Sequence, residues 1–467
     1  MCTNSNAAKR SSVSVVLTNR SLSWALSVRP QVHFGVGSTA NLPVIHVKPW
    51  IRYQAMTEGF GAAMTDSSAW LLWTRLSMRA RSDAFERLFG SQGIHIDFVR
   101  IPIAASDFTA AGVPYSYDDM PAGQTDPTLE QFSVRHDEAY IVPALQAMLS
   151  INPDIWTLAS PWSPPPWMKT NDSFDNLNLN GGVFASDLQV LAQYYVKFIE
   201  AYQAQGVHID AITPMNEPET ASAYPGSSLL PAAQEVFIPQ DLKPALQAAG
   251  LSVGVWGSDD ANIPDARAIL QSDTAVDLAG IAFHCYDGMD GYTQLHQEFP
   301  SVPLIESECS PGITPYSVAE AVIDAARNWA QGAQLWNLAL DPSGGPVEPP
   351  DTGCPLCTGI ITVNQQNRTA SYGPNYYELG QISKFVMPGA VRVYSDRLVH
   401  DWNKGFALHE HGVTAGVDNV TFQNPDGAFV MVAFNSAIRP ETFAVSYDGR
   451  AFPYTLGAGS TVTFSWR

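Results

Sequence analysis

Ala211-Ile212-Thr213-Pro214-Met215-Asn216-Glu217-Pro218 is a short apolar run that ends in a polar Asn-Glu pair and is stopped at once by proline. Read as a strand, it carries one carboxylate to its C-terminal tip. Val302-Pro303-Leu304-Ile305-Glu306-Ser307-Glu308-Cys309 has the same form. Two strand tips that each end in glutamate predict a pair of carboxylates converging on one site. Glycoside hydrolysis is the commonest chemistry that uses such a pair.

The same grammar recurs along the middle of the chain. Apolar segments at 59–64, 96–104, 155–159, 211–215, 253–257, 281–285, 303–305 and 333–340 are mostly separated by helix-length stretches. Leu188, Leu191, Tyr194, Tyr195, Phe198, Ile199 and Tyr202 recur at helical spacing over 188–203, with Ser186 and Asp187 placed as N-terminal caps. Stretches 78–88, 139–149 and 318–329 share that period. Strands alternating with helices predict a parallel sheet, and eight repeats favour a closed (β/α)8 barrel. An open doubly wound sheet is the competing reading. It calls for a Gly-rich phosphate turn after the first strand, and none follows.

Both ends of the chain read differently. Val13, Val15 and Leu17, then Trp24, Leu26 and Val28, then Val32 and Phe34 alternate with period two. Past Pro388 the alternation returns at Val391 and Val393, Ala407 and Leu408, Val430, Val432 and Phe434, Phe443 and Val445, and Thr461, Val462 and Phe464. Asn424-Pro425-Asp426-Gly427 and Tyr447-Asp448-Gly449 are turn signals. The expectation is one β-sandwich side domain built from residues 1–56 and 388–467, flanking a catalytic barrel at 57–387.

Bulk properties narrow the function. The 467-residue chain is 45% hydrophobic, enough for a large core, and its formal net charge of −20 leaves no basic stripe for nucleic acid. No apolar run is long enough to span a membrane, and Met1-Cys2-Thr3-Asn4-Ser5-Asn6 lacks a signal-peptide core. An exported enzyme whose signal has been removed is expected, with an intracellular one left open. The five cysteines, Cys2, Cys285, Cys309, Cys354 and Cys357, are too sparse for a disulfide framework. Cys354-Pro355-Leu356-Cys357 has no second ligand pair for zinc, so it is either a loop-closing disulfide or two free thiols. No metal and no cofactor are expected, and the chain is expected to act as a monomer.

In a barrel, catalytic groups sit at the C-terminal ends of strands. The tips here carry Asp66, Arg100 with Asp107, Trp162, Asn216 with Glu217, His284 with Tyr286, Glu308, and Trp336 with Asn337. Glu217 and Glu308 end the fourth and seventh strands, across the barrel mouth from one another. One carboxyl must hold a proton for the leaving oxygen while the other stays ionised, and Arg100 is placed to partner the ionised one. Asn216 is placed to donate to a sugar 2-hydroxyl. Each residue also has a plainer reading. Glu306 and Glu219 rival Glu308, and Glu306 is expected to face the same side one pleat deeper. His284 reads as a buried histidine that orients its neighbours, Trp162 and Trp336 as packing or sugar-stacking rings, and Asp118 and Asp119 as a solvated loop. A non-catalytic carbohydrate-binding protein would keep the two indoles but would not need both glutamates.

These residues resemble a known family. Gly59-Phe60-Gly61-Ala62-Ala63-Met64-Thr65-Asp66, Val99-Arg100-Ile101-Pro102, Ser106-Asp107-Phe108, Ser160-Pro161-Trp162-Ser163-Pro164-Pro165-Pro166-Trp167-Met168-Lys169, Met215-Asn216-Glu217-Pro218, Phe283-His284-Cys285-Tyr286, Ser307-Glu308-Cys309 and Leu335-Trp336-Asn337-Leu338-Ala339-Leu340-Asp341 stand in the order found in glycoside hydrolase family thirty. The resemblance implies a retaining β-glycosidase with Glu217 as acid/base and Glu308 as nucleophile. It puts substrate contacts at Asp107, Trp162, Asn216, Tyr286 and Trp336. Cys285 departs from the tryptophan of the animal lysosomal members, which weakens transfer of their lipid substrate. Gly353-Cys354-Pro355-Leu356-Cys357 and Tyr115-Ser116-Tyr117-Asp118-Asp119 look like the β-1,6-glucanase branch. An endo-β-1,6-glucanase acting on β-glucan is therefore expected, with exo-acting β-glucosidases, glucosylceramidases and xylan-active enzymes as alternatives within the family.

Overall fold

Eight parallel strands close on themselves: Gly59–Ala62 (β1), Phe98–Ile103 (β2), Trp156–Pro161 (β3), Ala211–Ile212 (β4), Gly254–Asp260 (β5), Gly280–His284 (β6), Leu304–Glu308 (β7) and Ala330–Leu335 (β8). The computed structural model describes residues 12–35, 39, 41–313, 317–348, 354, 356–398 and 416–467. Cys2, Gly353, Pro355, Ala407 and Leu408 lie outside the described residues. All six residues of β2 are buried, because helices cover one face and barrel side chains fill the other. Phe98, Leu158, Ala211, Trp256, Ala282 and Ile305 form the interior floor. The strand period of two then places Arg100 on the same inward face, one layer above Phe98.

Four expected helices form, at Met78–Phe89, Ile141–Ile151, Leu188–Ala204 and Val318–Arg327. Asp187 occupies the N-cap position of Leu188–Ala204, but its side chain makes no capping hydrogen bond; it instead accepts from Ser186 Oγ at 3.2 Å. The eighth segment is split. The barrel strand ends at Leu335, and Ala339–Leu340 joins Ile361–Asn364 and Thr369–Tyr372 in a separate three-stranded sheet.

A nine-stranded sheet gathers both chain ends, with strands of residues 12–56 interleaved among strands of 390–466. The thirteen-residue strand Val44–Met56 pairs antiparallel with Ala390–Ser395 and parallel with Glu441–Tyr447, which joins its two halves. Strand Phe429–Asn435 is buried along its length. Phe429, Met431 and Ala433 enter the sandwich core, and Val430, Val432 and Phe434 pack on the barrel side. Residues 19–26 differ from the expected strand at Trp24 and Leu26. They form a turn, with Leu22 and Leu26 at positive φ and Asn19 closing on Trp24 through both backbone and side chain.

Candidate active site

Two bulges aim the carboxylates. On β7, Glu306 pairs with Phe283 and Glu308 with His284, so two residues of β7 match one of β6. The extra residue turns Glu308 into the mouth. Glu306 does not share its side, contrary to simple alternation. It points into the helix layer and accepts from Tyr292 Oη, on helix Asp290–Glu298, at 2.6 Å. On β5, Ser258 pairs with Ala282 and Asp260 with Phe283. Ser258 and Asp259 there adopt φ of 69° and 65°, conformations costly for non-glycine residues, and Asp259 turns inward. Glu217, at φ 43°, is strained as well, and its N–H donates to the Asp259 carbonyl at 3.0 Å.

Arg100 is fully buried and organises the floor. It donates to Glu308 Oε2 at 2.5 Å, Asn216 Oδ1 at 2.7 Å, Asp259 Oδ2 at 2.7 Å and Ser160 Oγ at 3.1 Å. Trp162 lies 4.8 Å from the guanidinium carbon and stacks on Trp336 at 4.9 Å, so the two indoles roof the cation. His284 places Nδ1 3.0 Å from Glu217 Oε1 and Nε2 3.3 Å from Asp259 Oδ1. Tyr286 Oη donates to Glu308 Oε1 at 2.7 Å.

The electrostatics follow from burial set against these partners. Burial alone would raise the Asp259 carboxyl; Arg100 and His284, with Thr213, hold it well below the ordinary range. Burial opposes a charged His284, yet Glu308, Asp259 and Glu217 outweigh it and push the imidazole well above its ordinary value. Burial, with Glu217 alongside, leaves Glu308 above its ordinary value, although His284, Arg100 and Tyr286 pull against them. Asp107 is raised well above its ordinary value by burial, and further by Glu308 and Glu217. Its Oδ1 has no hydrogen-bond partner, which leaves it available to a ligand hydroxyl.

These groups line one cleft of about 460 Å³. Asp107, Trp162, Asn216, Glu217, Tyr286, Glu308 and Trp336 all reach it, while Arg100 and His284 stand behind as its buried support. Asp66 and Asn337 do not line it; Asp66 is bound instead to His136 and Tyr140. One ligand atom each from Glu217, His284 and Glu308 lie within 4.8 Å of one another. That spacing also suits a cation, but both His284 nitrogens already face carboxylates, so a metal would have to displace the imidazolium proton.

Several features of the site were not legible in the sequence. Asp259 follows a strand-like run just as Glu217 does, and the pair Asp259-Asp260 was the available signal. Tyr224 and Ser310 line the cleft from loops, where periodicity carries no information. Cys285 and Cys309 form a disulfide although the sparse cysteine set argued against a framework; β6 and β7 are neighbours and each places its cysteine one residue past the tip. Cys354 and Cys357 are also bridged, and both line the cleft. Asp118 departs from the solvated-loop reading, whereas Asp119 beside it is exposed as expected. Asp118 is 1% exposed, and burial with Asp126 beside it pushes its carboxyl up to about 6. Lys169, also buried, ties the loop after β3 to that after β4: its Nζ lies within 3.1 Å of Ser163 Oγ and of the Phe174, Asp175 and Gly226 carbonyls.

The family model for the glycosyl hydrolase family 30 TIM-barrel domain matches residues 57–386, and that for the family 30 beta sandwich domain matches residues 389–464. The chain belongs to glycosyl hydrolase family 30. It is 32% identical over 400 residues to Endo-1,6-beta-D-glucanase BGN16.3 of Trichoderma harzianum, covering 82% of this chain and 78% of that protein. It is 29% identical to mouse lysosomal acid glucosylceramidase, covering 91% of this chain and 83% of that protein. The solved structure of the endo-beta1,6-glucanase BT3312 superposes with a TM-score of 0.82 at 28% identity, covering 97% of this chain and 99% of that one. As a family 30 glycoside hydrolase, the chain is an enzyme that cleaves glycosidic bonds.

Proposed function

We propose that this family 30 enzyme is a retaining endo-β-1,6-glucanase in which Glu308 is the nucleophile and Glu217 the acid/base. The observation that carries the mechanism is the spacing: oxygens of the two carboxylates lie within 4.8 Å of each other. Retention needs carboxyls about 5–5.5 Å apart, whereas inversion needs about 6.5–9.5 Å to admit a water. Their surroundings divide the roles. Arg100 and Tyr286 donate to Glu308 and favour its ionised form, while Glu217 faces the open cleft.

In the first step a Glu308 oxygen forms a bond to the anomeric carbon as the bond to the leaving oxygen breaks. Glu217 gives its proton to that oxygen. In the second step Glu217 takes a proton from water, the water oxygen bonds to the anomeric carbon, and the ester to Glu308 breaks. Asn216, oriented by Arg100, presents its amide nitrogen to a sugar hydroxyl, and Asp107, Trp162 and Trp336 line the same subsite. The β-1,6 linkage is supported by the two endo-1,6-glucanase likenesses. Two disulfides support an oxidising, extracellular setting. Among the described residues no helix is long and apolar enough to cross a membrane.

Incubation with a β-1,6-glucan, a β-1,4-xylan and glucosylceramide tests the substrate. Mixed-length oligomers from the first, with β-configured new ends by NMR, are expected. Glucose alone would mean exo action, and turnover confined to glucosylceramide would overturn the reading. Glu308→Gln should abolish turnover while the fold remains intact. Glu217→Ala should lose glucan hydrolysis yet still release an activated aryl leaving group, which needs no proton.

A further inference from the structure

Tyr286 and Ser310 each follow one half of the Cys285–Cys309 disulfide. The bridge joins the tips of β6 and β7, so it fixes the spacing of the two residues that come next. Tyr286 Oη lies 2.9 Å from Ser310 Oγ and donates to Glu308 Oε1 at 2.7 Å. Ser310 is fully buried, and the Cys357 sulfur sits 3.3 Å behind its hydroxyl. That sulfur is bonded to Cys354, so it has no hydrogen to give.

The phenol has one hydrogen, and it goes to Glu308. A serine hydrogen directed to the phenol oxygen completes the 2.9 Å Tyr286–Ser310 contact. A hydroxyl that accepts one hydrogen bond donates more strongly in the next, particularly in a water-poor site.

We propose that Ser310 is a positioning residue that holds and polarises Tyr286 as the donor to Glu308, on a frame set by the Cys285–Cys309 bridge. The inference rests on the reading of Glu308 as nucleophile. Ser310 touches neither the attacking oxygen nor the anomeric carbon; it acts through Tyr286. A strong phenol donor lowers the basicity of Glu308 in the free enzyme. It also stabilises the carboxylate that returns when the ester is cleaved.

The test is a double-mutant cycle on glucan, with kcat/KM measured across pH for wild type, S310A, Y286F and S310A/Y286F. S310A should lower kcat/KM about 5-fold, the value of roughly one hydrogen bond. Its acid limb should move to higher pH, because Glu308 has lost part of a donor that favours ionisation. S310T, which keeps the hydroxyl, should restore both. In the Y286F background the serine substitution should have no further effect. An unmoved acid limb in S310A, or an equal loss in the Y286F background, would overturn the proposal and leave Ser310 a packing residue. Were S310A to unfold, S310G removes the same hydroxyl and is read the same way. Trapping with a 2-deoxy-2-fluoro glycoside separates the two levels: a label on another residue sinks the nucleophile assignment itself, whereas a label on Glu308 with a flat cycle sinks only the role of Ser310.

Discussion

Arg100 Nη1 donates to Glu308 Oε2 at 2.5 Å from a position with no exposed surface. The same planar fork reaches Asp259 and Asn216 from its other nitrogen. A lysine has one point charge and cannot serve these acceptors in fixed directions. Arg100→Lys should therefore reduce kcat/KM at least about 100-fold, from misplacement of the nucleophile and Asn216. Arg100→Met removes one charge and leaves Asp259 and Glu308 buried with only the His284 imidazolium opposite them, at a cost of about 3–5 kcal/mol. Steady-state kinetics and thermal unfolding check both, and a near-native R100K would show that the fork is dispensable.

His284 stands between the carboxylates. Its imidazolium is held well above the ordinary range by Glu308, Asp259 and Glu217 against the opposing effect of burial. In return it favours ionisation of Glu308. His284→Asn removes that positive charge, so Glu308 should bind its proton more tightly. The acid limb of kcat/KM should then move to higher pH, with the largest activity loss on the acid side. A limb displaced to lower pH would contradict the charge assigned to His284.

The barrel was legible because its strands are short apolar runs that each end in chemistry. Arg100, Glu217 and Glu308 could be assigned to one mouth from segment count alone. What alternation could not supply were the two bulges. One sends Glu306 outward and Glu308 inward, and the other brings Asp259 under Glu217. A bulge is one extra residue with a local change of φ, and nothing in the period of two announces it. Tyr224 and Ser310 escaped for another reason: they sit on loops, whose path is set by tertiary contacts such as those of Lys169. The Cys285–Cys309 bridge needed the neighbour relation of β6 and β7, a topological fact rather than a spacing in the sequence.

That bridge gives a prediction of its own. It closes a loop with a sequence separation of 24 between the tips that carry His284 and Glu308. Loop-closure entropy for such a span is worth about 3 kcal/mol. Cys285→Ala with Cys309→Ala should lower the unfolding free energy by about 2–4 kcal/mol. Activity measured well below the new melting temperature should fall less than in Glu308→Gln, because the donors Arg100 and Tyr286 remain. Urea unfolding of the double variant against wild type measures the first, and initial rates at 20 °C the second. An unchanged unfolding midpoint would mean that the strand pairing alone sets these tips.

Asp97 lies at the opposite end of the barrel and predicts how stability changes with pH. Its Oδ1 accepts the Phe60 N–H at 2.7 Å, and its Oδ2 is buried without a partner. Gly59, at φ 83°, lies so close that a Cβ there would sit 2.2 Å from Oδ1, so the carboxyl is walled in by backbone. Burial pushes it from 3.8 up to about 8, against the pull of its backbone hydrogen bonds. The folded chain thus holds this proton more tightly than the unfolded one. Its contribution to stability is complete below about pH 4 and is lost as the pH rises toward about 8. Asp97→Asn keeps an oxygen for the Phe60 N–H and does not titrate. Its new amide hydrogens carry a cost that is the same at every pH, so the slope is the informative quantity. Between pH 5 and pH 8 the melting temperature of the variant relative to wild type should rise by about 2–4 °C. A relative melting temperature that stays level across this window would mean that the Asp97 carboxyl is already ionised in the folded enzyme at pH 5.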